Sequence, residues 1–143
     1  MRTRIVSLVA AALLLALAGT FAFAAGSDFG AAGAAGKTGL SVQQMLGYAI
    51  QDEYLARAEY VAIMAKFGSA RPFSNIVQAE ERHVEWLEGL FDKYGFAVPV
   101  DTAKSLVVAP KDMKSALEAG VQAEIDNIAM YDAFLNGAGA APL

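Results

Sequence analysis

The sequence contains a single histidine, His83, and it follows Glu80 by three residues. In a helix that spacing puts a carboxylate and an imidazole on one face, close enough to serve one centre. Two further glutamates, Glu53 and Glu124, each interrupt an otherwise apolar helical pattern. Carboxylate oxygens with one imidazole nitrogen form a donor set suited to a divalent or trivalent transition metal. The candidate ligands are therefore Glu53, Glu80, His83 and Glu124; no catalytic residue is identified.

The case rests on where these residues fall. A core-facing helix repeats apolar residues at alternating steps of three and four. The first such stripe is Leu46, Ala49, Glu53, Ala56, Tyr60, Ile63, Phe67; the second is Phe73, Ile76, Glu80, His83, Leu87, Leu90, Tyr94; the third is Leu117, Val121, Glu124, Ile128, Tyr131, Leu135. Each is broken at or near its middle by a carboxylate. Burying an unpaired carboxylate costs several kcal/mol, against a total domain stability of about 5–15 kcal/mol. A single such glutamate is ordinarily one that reaches the edge of the bundle or pairs with an arginine, here Arg57 or Arg82. Glu-x-x-His alone is a weak signal, but three central interruptions together point to a bound cation. Glu59, Glu81, Glu85, Glu88 and Glu118 fall off the stripes and read as solvated. Met45, Met64, Met113 and Met130 read as packing. Tyr60 and Tyr131 lie seven residues beyond Glu53 and Glu124, two turns along the same faces. Packing accounts for both, with a hydrogen bond near the metal as the functional alternative.

The elements that must position these residues are all helical. Ser41 and Gln44 have the spacing of a capping box and open a helix over about 41–67, which Gly68 ends. Pro72 favours a second start, giving a helix over about 73–94 that stops at Gly95. Pro110 precedes a third helix over about 111–135, closed by Asn136-Gly137. The long connection from Phe96 to Ala109 excludes a tight hairpin between the second and third helices. The expected architecture is an all-α bundle of three main helices with a long crossover, in a domain spanning 40–136. Before it, 25–39 is a Gly/Ala-rich stretch without periodicity, expected as a linker; after it, 137–143 is expected as a loose tail.

The chain has 143 residues, enough for one domain, and 56% of them are hydrophobic. The excess lies in the first 24 residues. Arg2 and Arg4 precede an apolar run from Ile5, and Ala22-Phe23-Ala24 supplies the small residues of an A-x-A cleavage site. Residues 1–24 are expected to be a signal peptide cleaved after Ala24, which implies a periplasmic or secreted product. An uncleaved segment of about 20 apolar residues would instead anchor the chain in a membrane. Cleavage removes two arginines and no acidic residue, moving the net charge from −4 to −6. An acidic domain of this kind is not a nucleic-acid binder. With no cysteine, disulfides, zinc-thiolate sites and iron–sulfur clusters are excluded.

The order of ligands resembles the ferritin-like superfamily, in which glutamates from two helices and Glu-x-x-His from two others meet in a four-helix bundle. The stretch from Glu53 to Tyr60 is similar to the first-helix motif of rubrerythrin-like members, and Ala79-Glu80-Glu81-Arg82-His83 to their second. More narrowly, Asp52 to Tyr60, Phe73 to Gly95 and Glu124 to Asp132 resemble the family named domain of unknown function 2202, over about Leu40 to Leu135. The resemblance implies a ferritin-like bundle with a di-iron or di-manganese centre, iron first and manganese second. Glu80 and Glu124 would then be the bridging ligands, and Glu53 and His83 terminal. It also implies a fourth helix with another histidine, which the sequence up to Leu143 does not contain. Two readings of that gap stay open: a truncated family member without a functional metal site, or a homodimer in which a second copy completes the bundle. The functions implied are oxidoreduction or metal handling, against a non-catalytic helical scaffold.

Overall fold

Ser41 caps the longest helix, its hydroxyl accepting from the Gln44 amide while the Gln44 side chain accepts from the Ser41 amide. This reciprocal box satisfies two of the donors a helix start leaves open. The computed structural model describes residues 28–69 and 71–137 and forms four α-helices: α1 (Gly30–Ala34), α2 (Val42–Phe67), α3 (Phe73–Tyr94) and α4 (Met113–Gly137). A single 3-10 turn, Ala103–Ser105, lies in the crossover. Gly68 and Gly95 end α2 and α3 at positive φ, 93° and 69°, backbone that glycine adopts without a Cβ clash. The expected leader, 1–24, lies outside the described residues, as does the expected tail beyond Gly137. Among the described residues no helix is long and apolar enough to cross a membrane.

The start of α4 falls two residues later than Pro110 suggests. Asp112 is the capping side chain, accepting from the Ser115 amide at 2.8 Å and from its hydroxyl at 2.7 Å. A second departure lies in the stretch expected as a linker, where Gly30–Ala34 folds as α1 against α2 and α4. Its first amides donate to side chains of α2: Gly30 to Gln51 Oε1 at 3.2 Å and Ala31 to Asp52 Oδ1 at 2.8 Å. Gly30 and Gly33 are close-approach positions, since a Cβ on either would come within 3.0 Å of atoms of Asp52, Asp28 or Tyr48.

Helix α2 is the central element. Antiparallel α3 packs along one side, with Tyr60 against Phe73 at a ring separation of 6.0 Å. The crossover then runs back along α2, held by Tyr54 Oη donating to the Pro99 carbonyl, by an Arg57–Asp101 ion pair at 2.8 Å, and by Lys66 donating to the Pro110 carbonyl. It delivers α4 antiparallel to α2 on its other side, where Asn127 meets Asp52 and Gly120 meets Tyr60. Among the described residues α3 and α4 make no close backbone contact with each other. A trough therefore opens between them, floored by α2. The apolar core has two parts. One is centred on Ile50, Tyr54, Leu87 and Phe91, the other on Tyr60, Ile63, Phe73 and Ala116.

The faces differ from the sequence stripes in α3 and, more strongly, in α4. On α3 the buried line is Phe73, Val77, Glu80, Val84, Leu87 and Phe91, leaving Leu90 and Tyr94 at the exposed edge. On α4 the buried residues are Ala116, Ala119 and Met130, while Leu117, Val121, Ile128 and Leu135 of the expected stripe are exposed. The helix is turned by one residue, about 100°. Small residues let α4 approach α2 closely: the Tyr60 hydroxyl sits over Gly120, where a Cβ would lie 2.8 Å from it.

Candidate metal centre

Two antiparallel neighbours bring the first three candidate ligands together. Glu53 projects from the middle of α2, and Glu80 and His83 from one face of α3. Their ligand atoms lie within 4.8 Å of one another. His83 Nδ1 is 3.0 Å from Glu53 Oε2 and 3.1 Å from Glu80 Oε2. Both glutamates are 5% exposed, whereas the His83 side chain is 44% exposed and forms the rim. The imidazole ring stacks obliquely near the indole of Trp86, with centroids 5.9 Å apart.

Burial first, then a hydrogen bond to Glu53 and the charge of that carboxylate, raise the Glu80 carboxyl well above the ordinary glutamate range, with Glu124 and Asp52 adding to the effect. Tyr131 Oη donates to Glu53 Oε1 at 3.4 Å. Burial, followed by the charges of Glu53 and Asp52, raises the Tyr131 phenol, so it stays a donor throughout the ordinary pH range. Tyr60, also buried, is pushed up to about 12 by desolvation and then by Glu124, Glu80 and Glu59. It faces Gly120 and makes no hydrogen bond to the three ligands.

Glu124 does not join the group. It is exposed on α4 and lines the same cavity without reaching the other three, a direct result of the turn of α4 that seats Ala116 and Ala119 against α2. The ligand set brought together is therefore Glu53, Glu80 and His83, with Glu124 across the trough. The arginines offered as partners for these carboxylates are engaged elsewhere or exposed: Arg57 pairs with Asp101, and Arg82 is exposed.

The trough encloses a cavity of about 420 Å³. Its described lining includes six carboxylates, Asp52, Glu53, Glu59, Glu80, Glu124 and Asp126, and no lysine or arginine. Glu59 is the residue that the helical pattern misplaces. It is 7% exposed, not solvated, because the close approach of α4 covers the side of α2 on which it stands. Burial and then the charge of Asp52 raise its carboxyl to about 7. Asp52 is likewise raised by burial, although Ala31 and Asn127 donate to it. In the sequence, only the i, i+7 repeat of Asp52 and Glu59 signals that these two share a face.

A family-wide sequence profile, the uncharacterized protein domain DUF2202, matches residues 42–139, from the start of α2 through the end of α4. The chain belongs to the DUF2202 family. The match covers every ligand candidate and the three long helices of the DUF2202 domain, while α1, whose Ala31 and Ala32 also line the cavity, lies before it. No curated protein and no solved structure matches the chain.

The donor chemistry of this DUF2202 domain fits a metal ion. The separations of 3.0 and 3.1 Å around His83 Nδ1 approximate neighbouring corners of an octahedron with metal–ligand bonds of about 2.1 Å. Two carboxylates and an imidazole would hold the ion. The open trough beside Trp86 leaves further positions for water or a second group.

Proposed function

We propose that this protein is an exported metal-binding domain of the ferritin-like type, holding iron, or manganese, through Glu53, Glu80 and His83. The observation that carries this reading is the convergence of three ligand atoms from two helices within 4.8 Å, in a cavity lined by carboxylates and by no lysine or arginine among the described residues. Such an ion supplies one-electron chemistry toward oxygen or peroxide, which supports metal handling or oxidoreduction. The protein's own residues do the rest. Glu80 gives up its proton when a cation arrives, Tyr131 fixes the orientation of Glu53, and His83 admits or closes the rim. Glu124, opposite the group, is placed to join as a fourth ligand once a second wall draws α4 inward. The basic, apolar and small-residue order of the first 24 residues supports export to the periplasm or beyond.

We further propose that a second copy of the chain supplies that wall. The trough between α3 and α4 is bordered by exposed apolar side chains, Trp86 at 71% exposure among them, with Val121, Ile125 and Ile128 opposite. Contiguous apolar surface of this kind marks an interaction site. On α4 it is self-complementary in an antiparallel pairing.

The test is elemental analysis of protein purified without chelator or affinity tag. One or two iron or manganese ions per chain, lost in Glu80→Ala, is the expected result. Folded protein that takes up no ferrous or manganous ion would establish a second reading, a non-catalytic helical scaffold. One observation favours that alternative. Among the described residues no fully buried side-chain nitrogen or oxygen lacks a hydrogen-bond partner, so the imidazole of His83 already serves both carboxylates. On that reading Glu53→Gln and Glu124→Gln leave stability unchanged or raise it.

A further inference from the structure

The cavity has a second concentration of negative charge that the Glu53–Glu80–His83 group does not use. Glu59 is more than nine-tenths buried and lines the cavity, yet it makes no hydrogen bond and no ion pair with any described residue. No fully buried side-chain oxygen among the described residues lacks a partner, so the Glu59 carboxylate opens onto the cavity, where a cation would compensate its burial. Asp52 stands seven residues earlier on the same face of α2, and a glutamate side chain on a helix leans toward the N-terminus, so Glu59 leans toward Asp52. Between them Ala56 on α2 and Ala123 on α4 both line the cavity and leave space there. Gln122 lines it too, its amide nitrogen donating to Asp126 at 2.9 Å, which leaves the amide oxygen as an acceptor.

We infer that Glu59 anchors a second cation subsite, distinct from the Glu53–Glu80–His83 group, that takes a hard divalent cation with Asp52 and the Gln122 amide oxygen as neighbouring oxygen donors. All the donors are oxygens and none is imidazole, which selects magnesium-, calcium- or manganese-like ions that keep part of their water shell. Both oxygens of Asp52 already accept a hydrogen bond, from Ala31 and Asn127. Asp52 is therefore fixed in place, near enough for its charge to act on Glu59, and each of its oxygens keeps a lone pair for a cation. A single ion at Glu53, Glu80 and His83 leaves Glu59 and Asp52 uncompensated on the α4 side of α2, and an ion at Glu59 neutralises them there.

The experiment is a calorimetric titration of the purified full chain with manganous ion, run on the parent protein, Glu59→Gln and His83→Ala. The expected result is two ions per chain for the parent, with one lost in Glu59→Gln and the other in His83→Ala. Binding by Glu59→Gln with the parent's stoichiometry and affinity overturns the inference, while loss in His83→Ala alone leaves the first site standing. One ion lost in Glu59→Gln and indifferent to His83→Ala does the reverse. No uptake by the parent overturns both. If Glu59→Gln loses helicity, Asp52→Asn reads the same subsite. A tenfold or greater loss of affinity in one binding event is then expected, and an isotherm identical to the parent's overturns the inference.

Discussion

Nδ1 of His83 stands 3.0 Å from Oε2 of Glu53, a residue thirty positions earlier and on the neighbouring helix. This contact ties α3 to α2 at the centre of the cavity, and a second, to Glu80, makes the ring the shared partner of two buried carboxylates. Removing it separates a metal site from a structural cluster. His83→Ala is expected to lower iron or manganese affinity by at least about a hundredfold, the upper end of what loss of a mere supporting partner costs. In the metal-free protein the same change removes the imidazole that both carboxylates share and leaves Tyr131 as the remaining neutral donor to Glu53, so the melting temperature should also fall. Metal titration and thermal unfolding of the one variant check both. Unchanged metal affinity would remove His83 from the site.

The pH dependence of the metal-free protein follows from Glu59. Its carboxyl is raised from 4.5 to about 7, so over that interval the folded state binds more protons than the unfolded chain, and stability falls as pH rises. A shift of that size corresponds to roughly 3 kcal/mol. The stabilisation is fully present below pH 4.5 and lost as pH climbs through 7. Burial of Glu80 and Asp52 acts in the same direction. Chemical denaturation without metal is therefore expected to give greater stability at pH 5 than at pH 8, with a flatter profile for Glu59→Gln. Metal reverses the trend, because its ligands must be deprotonated. The stabilisation by manganous ion should grow over the same range.

Helices α2 and α3 are legible in the sequence, because their ends are written in local chemistry. The Ser41–Gln44 box, Gly68 and Gly95 act within a turn of where they stand. Glu53 and Glu80 are legible as well, since large apolar neighbours mark their faces. The facing of α4 is not. A hydrophobic pattern favours Leu117, Val121 and Ile128, but Tyr60, a residue of another helix, requires a glycine and alanines opposite it. Glu59 is misread for the same reason, its burial depending on how closely α4 approaches. Helix α1 has five residues of glycine and alanine with no periodicity, and the groups that anchor it, Gln51 and Asp52, lie 21 residues away in the chain.

The seat of Tyr60 over Gly120 carries its own prediction. Glycine within a helix ordinarily costs about 1 kcal/mol relative to alanine, so Gly120→Ala would stabilise an isolated α4. Here the new Cβ meets the Tyr60 hydroxyl at 2.8 Å, and the ring is fully packed against Phe73, so it cannot swing aside cheaply. Overpacking of this kind costs about 1–3 kcal/mol, so the net effect should be destabilising. Tyr60→Phe removes the clashing oxygen, and the next ring atoms lie at 3.5 and 3.6 Å, an ordinary contact. Gly120→Ala is therefore expected to destabilise the parent and to stabilise the Tyr60→Phe protein. Thermal unfolding of the four proteins in the cycle checks this, and the same sign in both backgrounds would refute the proposed contact.

The exposed face of α4 gives the last prediction. Leu117, Val121, Ile125, Ile128 and Leu135 lie in solvent along one side of the helix, a costly arrangement unless something covers them. In an antiparallel pairing of two α4 helices, setting Val121 against Ile125 of the second copy creates the reciprocal contact by symmetry. The same register brings Lys114 beside Asp132 of the second copy, again twice. Lys114 is exposed and, among the described residues, pairs only with Glu118, one turn away on its own helix, an exposed pair that can exchange for a contact across the interface. The protein is expected to sediment as a dimer at about micromolar concentration, a range ordinary for such interfaces. Ile125→Glu should give a folded monomer. Lys114→Glu should weaken the dimer, and adding Asp132→Lys should restore it, because the charges then match again in the opposite sense. A monomeric parent, or a charge swap that fails to restore association, would assign the face to a different partner. If the pairing holds, metal affinity should fall with dilution as the second wall of the trough departs.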